Sequence, residues 1–201
     1  DTKDLQEKSR IMKKLLAEIE QCTVCAPHLP LGPRPVLQVS PQARILIAAQ
    51  APGRKVHETG IPFYDASGDR LREWLGVDHQ VFYNARKIAI LPMGFCYPGR
   101  GKTGDLPPRP ECAKTWHSKV LAHLKNVRLT LVIGRYALAY HIPHLKHNFT
   151  LTAVVKSWRS YLPGIIPLPH PSPRNSIWLK RNPWFEEEVL PAMRKRVEDI
   201  L

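Results

Sequence analysis

The chain has 201 residues, 43% of them hydrophobic, which suits one domain with a substantial core better than two. Lysine and arginine number 30 against 17 acids, a formal charge of +13 that favours a polyanionic partner, most simply nucleic acid. No apolar run approaches the ~20 residues of a membrane span, and no basic amphipathic helix with an aromatic face stands out, so no membrane partner is expected.

In chain order, Leu5, Met12, Leu15, Leu16 and Ile19 recur at three- and four-residue spacing, predicting an amphipathic helix over residues 3–21. Proline-dense residues 26–42 read as an extended loop. Arg44–Ala49 is a flat apolar run, as in a central parallel strand, and ends in the tight turn Gln50-Ala51-Pro52-Gly53. Residues 54–66 read as a loop, followed by a helix from Ser67 to Leu75 with Leu71, Trp74 and Leu75 facing inward. Val81–Asn84 reads as a short strand, and Ile88–Leu91 extends the sheet or packs beside it. Residues 92–110, rich in Gly, Pro, Arg and Lys, form a second long loop containing Cys96. A helix from Cys112 to about Leu124 precedes the strand Leu129–Ile133, and another runs from Arg135 to His141. Thr152–Val155 is weakly strand-like, Ile165–Leu168 is a brief buried strand, and Trp184–Leu201 is a closing helix kinked at Pro191. Alternating strands and helices predict a three-layer α/β/α sandwich on a mostly parallel sheet, a single α/β domain over 1–201.

Two features locate chemistry. The loops around 50–66 and 92–110 are long and follow predicted strands, and parallel sheets bind ligands at the carboxyl ends of their strands. His170-Pro171-Ser172-Pro173-Arg174-Asn175 follows the strand Ile165–Leu168, and its two prolines make it a stiff loop rather than a helix interior or central strand.

The four cysteines form a close pair, Cys22 and Cys25, and two distant singles, Cys96 and Cys112. No signal peptide is visible, although the start at Asp1 leaves room for an upstream segment. Without a secretion signal, the cysteines point to a metal site or free thiols in a reducing compartment, here cytoplasmic and nucleoid-associated. Thiolates suit zinc or an iron–sulfur cluster; in the zinc reading His28 is an alternative fourth ligand. Either would tie the N-terminal helix to the segment around residue 112, with no ligand left open for substrate.

These residues resemble a family. Ala49-Gln50-Ala51-Pro52-Gly53 with Glu58-Thr59-Gly60-Ile61-Pro62-Phe63 resembles the first motif of the iron–sulfur uracil-DNA glycosylases. His170-Pro171-Ser172 resembles their last motif, and His-Pro-Ser-Pro is also the form of the classical enzymes. The cysteine spacing is similar to the [4Fe–4S] ligand pattern of the thermophile-type members, and Asn84 resembles their uracil-reading asparagine. The likeness spans about residues 20–185, and its specificity lies in the order and spacing of the motifs.

The resemblance implies a monofunctional enzyme that flips uracil out of DNA and hydrolyses its N-glycosidic bond, with no lysine nucleophile for a lyase step. Phe63 would stack on the base, Asn84 would read its edge, and Tyr64 would shape the pocket. His170 would donate to O2 as negative charge builds there, helped by backbone amides around Gln50 and Ala51. Ser172, Pro173, Arg174 and Asn175 would press on the duplex, with Arg100, Lys102, Lys180 and Arg181 as further backbone contacts. Classical members carry a water-activating aspartate before the first-motif proline; here it is Ala51, which leaves Glu58, slightly preferred, and Asp65 as acids. A DNA-binding protein without catalysis, and a glycosylase for another deaminated base such as hypoxanthine, are the alternatives. The expected partner is uracil-containing DNA, bound by a monomer.

Overall fold

Four apolar runs become the sheet. The computed structural model describes residues 2–145 and 148–201. Strands β1 (Ile45–Ala49), β2 (Ile88–Pro92), β3 (Leu129–Ile133) and β4 (Ile165–Leu168) are all parallel, in the order β2-β1-β3-β4. Every residue of β1 is buried, because a strand paired on both edges and covered on both faces has no solvent side on which to alternate. Register places Ala49 opposite Pro92 and Ile133 opposite Leu168, so the carboxyl ends of the strands share one rim.

Successive strand residues feed opposite faces, and helices cover both. On one face Ile45, Ile47, Ile88 and Ile90 pack with Leu71, Trp74 and Leu75 of the helix Ala66–Leu75, and with Phe185 and Met193 of the C-terminal segment. On the other, Leu46, Ala89 and Leu91 meet Met12, Leu15 and Ile19 of the helix Thr2–Glu20 (α1), together with Trp116 and Val120. Ala48 and Val132 pack with Ala137 and Leu138 of the helix Gly134–His141. This is the three-layer α/β/α arrangement. Among the described residues, no helix is long and apolar enough to cross a membrane.

Three local expectations are corrected. Within 54–66, residues Arg54–Thr59 form a helix (α2), stopped by Gly60 at φ +71°. The helix Ala66–Leu75 is thus α3; Asp65 starts it by accepting the Gly68 N–H at 2.8 Å. Val81–Asn84 is not a strand: His79–Phe82 is one helical turn started by Asp78, which accepts the Val81 N–H at 2.8 Å. Thr152–Val155 lies in the helix Leu151–Lys156, where Thr150 accepts the Ala153 N–H at 3.2 Å. In each of the last two a capping oxygen outweighs the strand preference of β-branched and aromatic residues.

The C-terminal segment winds as a π turn over Phe185–Val189 and then as an α-helix over Leu190–Ile200. Pro191 sits in the first turn of that α-helix, where its missing N–H is tolerated. The expected helix at Cys112 begins two residues earlier, at Pro110, and takes π winding over Ala113–His117. Outside β2, Gln38 exchanges backbone hydrogen bonds with Ile90 at 2.9 and 2.6 Å, and β4 carries Pro167 opposite Val132.

Candidate active site

A cavity of about 370 Å³ opens at the carboxyl rim of β1 and β2. Its walls come from four places: the turn Gln50–Gly53, the segment around Phe63 and Asp65, the 92–110 loop through Asp105, and the loop from His170 to Arg174. These are chain segments up to 124 positions apart that the parallel topology gathers on one edge.

His170 follows β4 by two residues and is held on all sides. The Ser172 N–H donates to its Nδ1 at 3.1 Å, so the neutral ring carries its proton on Nε2. Burial holds the imidazole below its ordinary pKa, while the charges of Asp65 and Asp105 pull weakly the other way. Asn175 Nδ2 donates to the His170 carbonyl at 2.7 Å, and Arg70 of α3 donates to the Ser172 carbonyl at 3.0 Å. The Ser172 hydroxyl accepts the Arg174 N–H at 3.2 Å, closing the turn Pro173–Asn175. The result is a fixed, uncharged donor at the cavity.

Phe63 lines the same cavity in a conformation its type rarely adopts, φ +55°, the one positive φ outside glycine among the described residues. Its surroundings impose this. Tyr83 Oη donates to the Pro62 carbonyl at 3.0 Å, and Arg72 donates to the Phe63 carbonyl at 3.3 Å and to Tyr83 Oη at 3.0 Å. Gly68 lies directly beneath: a Cβ there would fall 1.6 Å from the Phe63 carbonyl oxygen. The Phe82 ring meets Phe63 edge-on at 6.2 Å.

At the end of β1 the Gly94 N–H donates to the Gln50 carbonyl, 3.0 Å away, which pins the turn to the loop after β2. Gln50 carries the one side-chain amide among the residues lining the cavity. A family model, the Uracil DNA glycosylase superfamily, matches residues 37–194. The chain belongs to the uracil-DNA glycosylase superfamily. It is accordingly a DNA glycosylase of damaged bases, in the hydrolase class that opens base-excision repair.

In this superfamily member the cavity gathers Gln50, Ala51, Phe63, Asp65, His170, Ser172 and Arg174. Pro173 and Asn175 shape the His170 loop rather than line the cavity. Glu58 and Tyr64 do not line it either. Glu58 points to solvent and pairs with Arg54 at 3.1 Å on the outside of α2, and Tyr64 is 45% exposed. Asn84 lies furthest from its expected place. Its carbonyl accepts the Ile88 N–H at the amino end of β2, and its Oδ1 accepts the Arg86 N–H at 3.0 Å. The cavity is at the other end of that strand, on the order of 15 Å away. Sequence reasoning passed over Asp105, which lines the cavity, and Gly68, Arg72 and Tyr83, which hold Phe63 in place.

All four cysteines of the glycosylase line a second, smaller void of about 20 Å³ between the turn after α1, the loop after β2 and the segment from Arg109 to Trp116. Sulfur atoms there already accept hydrogen bonds. The Phe95 N–H donates to Cys112 Sγ at 3.3 Å, and Trp116 Nε1 donates to Cys22 Sγ at 3.4 Å. Burial pushes the Cys96 thiol up to about 11 and the Cys112 thiol to about 12. Converging thiols with N–H···S donors fit a thiolate-bound centre. Among the described residues no three Cys, His, Asp or Glu side chains are grouped to hold a single ion. Cys22 and Cys25 lie outside the matched span, residues 37–194.

Proposed function

We propose that this glycosylase hydrolyses the N-glycosidic bond of uracil in DNA and leaves an abasic site uncut. One observation carries the reading: Phe63 and His170, whose Nδ1 is already engaged by the Ser172 N–H, line one cavity at the carboxyl rim. A flipped base stacked on Phe63 gains about 1–3 kcal/mol. His170 Nε2–H donates to the uracil O2, where charge accumulates as the bond to the sugar breaks. Because Asn84 is remote, the edge-reading role passes to Gln50, whose amide offers both a donor and an acceptor. Arg174 and Ser172 at the rim, within a chain of charge +13, face the phosphate backbone.

The test is base release. Oligonucleotides carrying uracil opposite guanine, opposite adenine and unpaired, with a hypoxanthine series beside them, are incubated with the protein and cleaved with alkali. Uracil strands are expected to break. Breakage confined to hypoxanthine would reassign the substrate, and salt-sensitive binding without breakage would leave a DNA-binding protein.

The cysteine set is proposed to hold a [4Fe–4S] cluster rather than zinc. What supports the reading is the spacing of the four cysteines, which carries the resemblance drawn above, together with their all lining one void. The cluster's role is to fasten α1 to the loop after β2, away from the base. The purified protein is expected to be brown and to contain iron and acid-labile sulfide in equal amounts; a colourless, zinc-loaded protein would refute the cluster.

A further inference from the structure

Hydrolysis of the glycosidic bond needs an acid in two capacities, to steady the cation-like sugar and to orient water toward C1′. The first-motif position that supplies it in classical members is Ala51 here. Of the two acids the sequence offered instead, Glu58 is paired with Arg54 outside the cavity. Asp65 lines the cavity, but its Oδ1 is committed to the Gly68 N–H as the start of α3.

Asp105 is placed differently. It lies in the 92–110 loop, on a hairpin closed by Gly101 N–H to the Gly104 carbonyl at 2.6 Å and Leu106 N–H to the Gly99 carbonyl at 2.8 Å. The hairpin leans on the His170 loop: a Cβ on Gly104, at φ +148°, would come within 3.0 Å of Arg174 Nη1. The Asp105 carboxylate reaches over the end of β1, with Oδ2 3.6 Å from where a Cβ on Gly53 would stand. It lines the same cavity as His170. Its side chain makes no hydrogen bond or ion pair with any described residue, so both oxygens are available.

We propose that Asp105 is the catalytic carboxylate of this enzyme, holding the attacking water against the sugar from the loop after β2 and taking its proton as general base. The assignment rests on the glycosylase reading above. In the step, the water oxygen bonds to C1′ as the C1′–N bond breaks. The bonding pair leaves with the base as an anion held by His170, and the water proton passes to the Asp105 carboxylate. Solvent then reprotonates the base and deprotonates Asp105.

The experiment compares Asp105→Asn, Asp105→Ala and Asp65→Asn under single turnover, on whichever base the wild-type protein releases. Thermal unfolding and affinity for an abasic-site duplex are measured alongside. Asp105→Asn is expected to slow release about 10²-fold, within the usual range for a positioned acid or base, with melting and affinity near wild type. Asp65→Asn, which keeps the cap acceptor, is expected to lose less than tenfold. Added formate should restore part of the rate to Asp105→Ala, which a purely structural role would not allow. Wild-type release with Asp105→Asn retaining more than a third of the rate overturns the assignment and leaves the glycosylase reading intact. A wild-type protein that releases no base overturns the glycosylase reading and this assignment with it.

Discussion

Replacing His170 by alanine is expected to slow base release about 10²–10³-fold, the usual cost of removing one preorganised donor to a developing anion, while DNA affinity changes little. The expectation follows from the way the ring is held. Its Nδ1 is occupied by the Ser172 N–H, so the proton on Nε2 is the one that can meet the base. Burial keeps the ring uncharged, which fixes the sign of the pH dependence. With its pKa held below the ordinary ~6.5, the imidazole stays neutral through the physiological range. The wild-type rate should therefore show no loss from His170 until pH falls below that value. Further acid puts a second proton on Nδ1, against the Ser172 N–H, and the loop that aims the ring is disrupted. A rate that climbs as pH falls through 6 would mean that the cation is the working form. His170→Ala should lack this acidic limb.

Gly68→Ala is expected to cost ~3 kcal/mol or more in stability and to abolish base release together with it. Helix propensity alone points the other way, because alanine within a helix is favoured over glycine by about 1 kcal/mol. Sterics decide the outcome. The new Cβ would lie 1.6 Å from the Phe63 carbonyl oxygen, 2.6 Å from its carbon and 2.9 Å from the Phe63 Cβ. Two of these are backbone atoms, and the carbonyl is held by Arg72, so no flexible side chain can give way. Either the amino end of α3 unwinds or Phe63 leaves the cavity. At about 2–4 °C per kcal/mol for a chain of this size, the melting temperature should fall by roughly 10 °C. Gly164→Ala, with nothing within 4 Å of its added Cβ, supplies the comparison and should melt close to wild type. A Gly68→Ala protein as stable and active as wild type would show that Phe63 does not depend on this close approach.

The sheet was legible from composition. Arg44–Ala49 is a flat apolar run, flatness means burial on both faces, and with Leu129–Ile133 as a further strand a central parallel sheet follows; Ile88–Leu91, open in the sequence between a strand and a segment packed beside the sheet, is a strand. His170 was legible because Pro171 and Pro173 stiffen the loop directly beyond a strand. The failures share a cause. Val81–Asn84 and Thr152–Val155 have strand-like side chains, but each follows a residue, Asp78 or Thr150, whose oxygen starts a helix instead. Those caps were present in the sequence and were outweighed in the reading by side-chain type. Turning Val81–Asn84 into a helical turn also moved Asn84: it precedes β2 instead of ending a strand, and so falls at the wrong rim. α2 was missed because it is six residues long, between Gly53 and Gly60, too short for periodicity to register. Asp105 was hidden in a loop whose glycines read as slack, whereas Gly99, Gly101 and Gly104 build a hairpin.

The two flanks of the sheet have a bearing on how the molecule behaves in concentrated solution. An uncovered strand is a template on which another chain can polymerise. Here the outer side of β2 is already taken up by Gln38, and β4, four residues long, is interrupted by Pro167, which has no N–H to offer. A newcomer would find few donors in a row to align against, which disfavours fibre growth by strand addition.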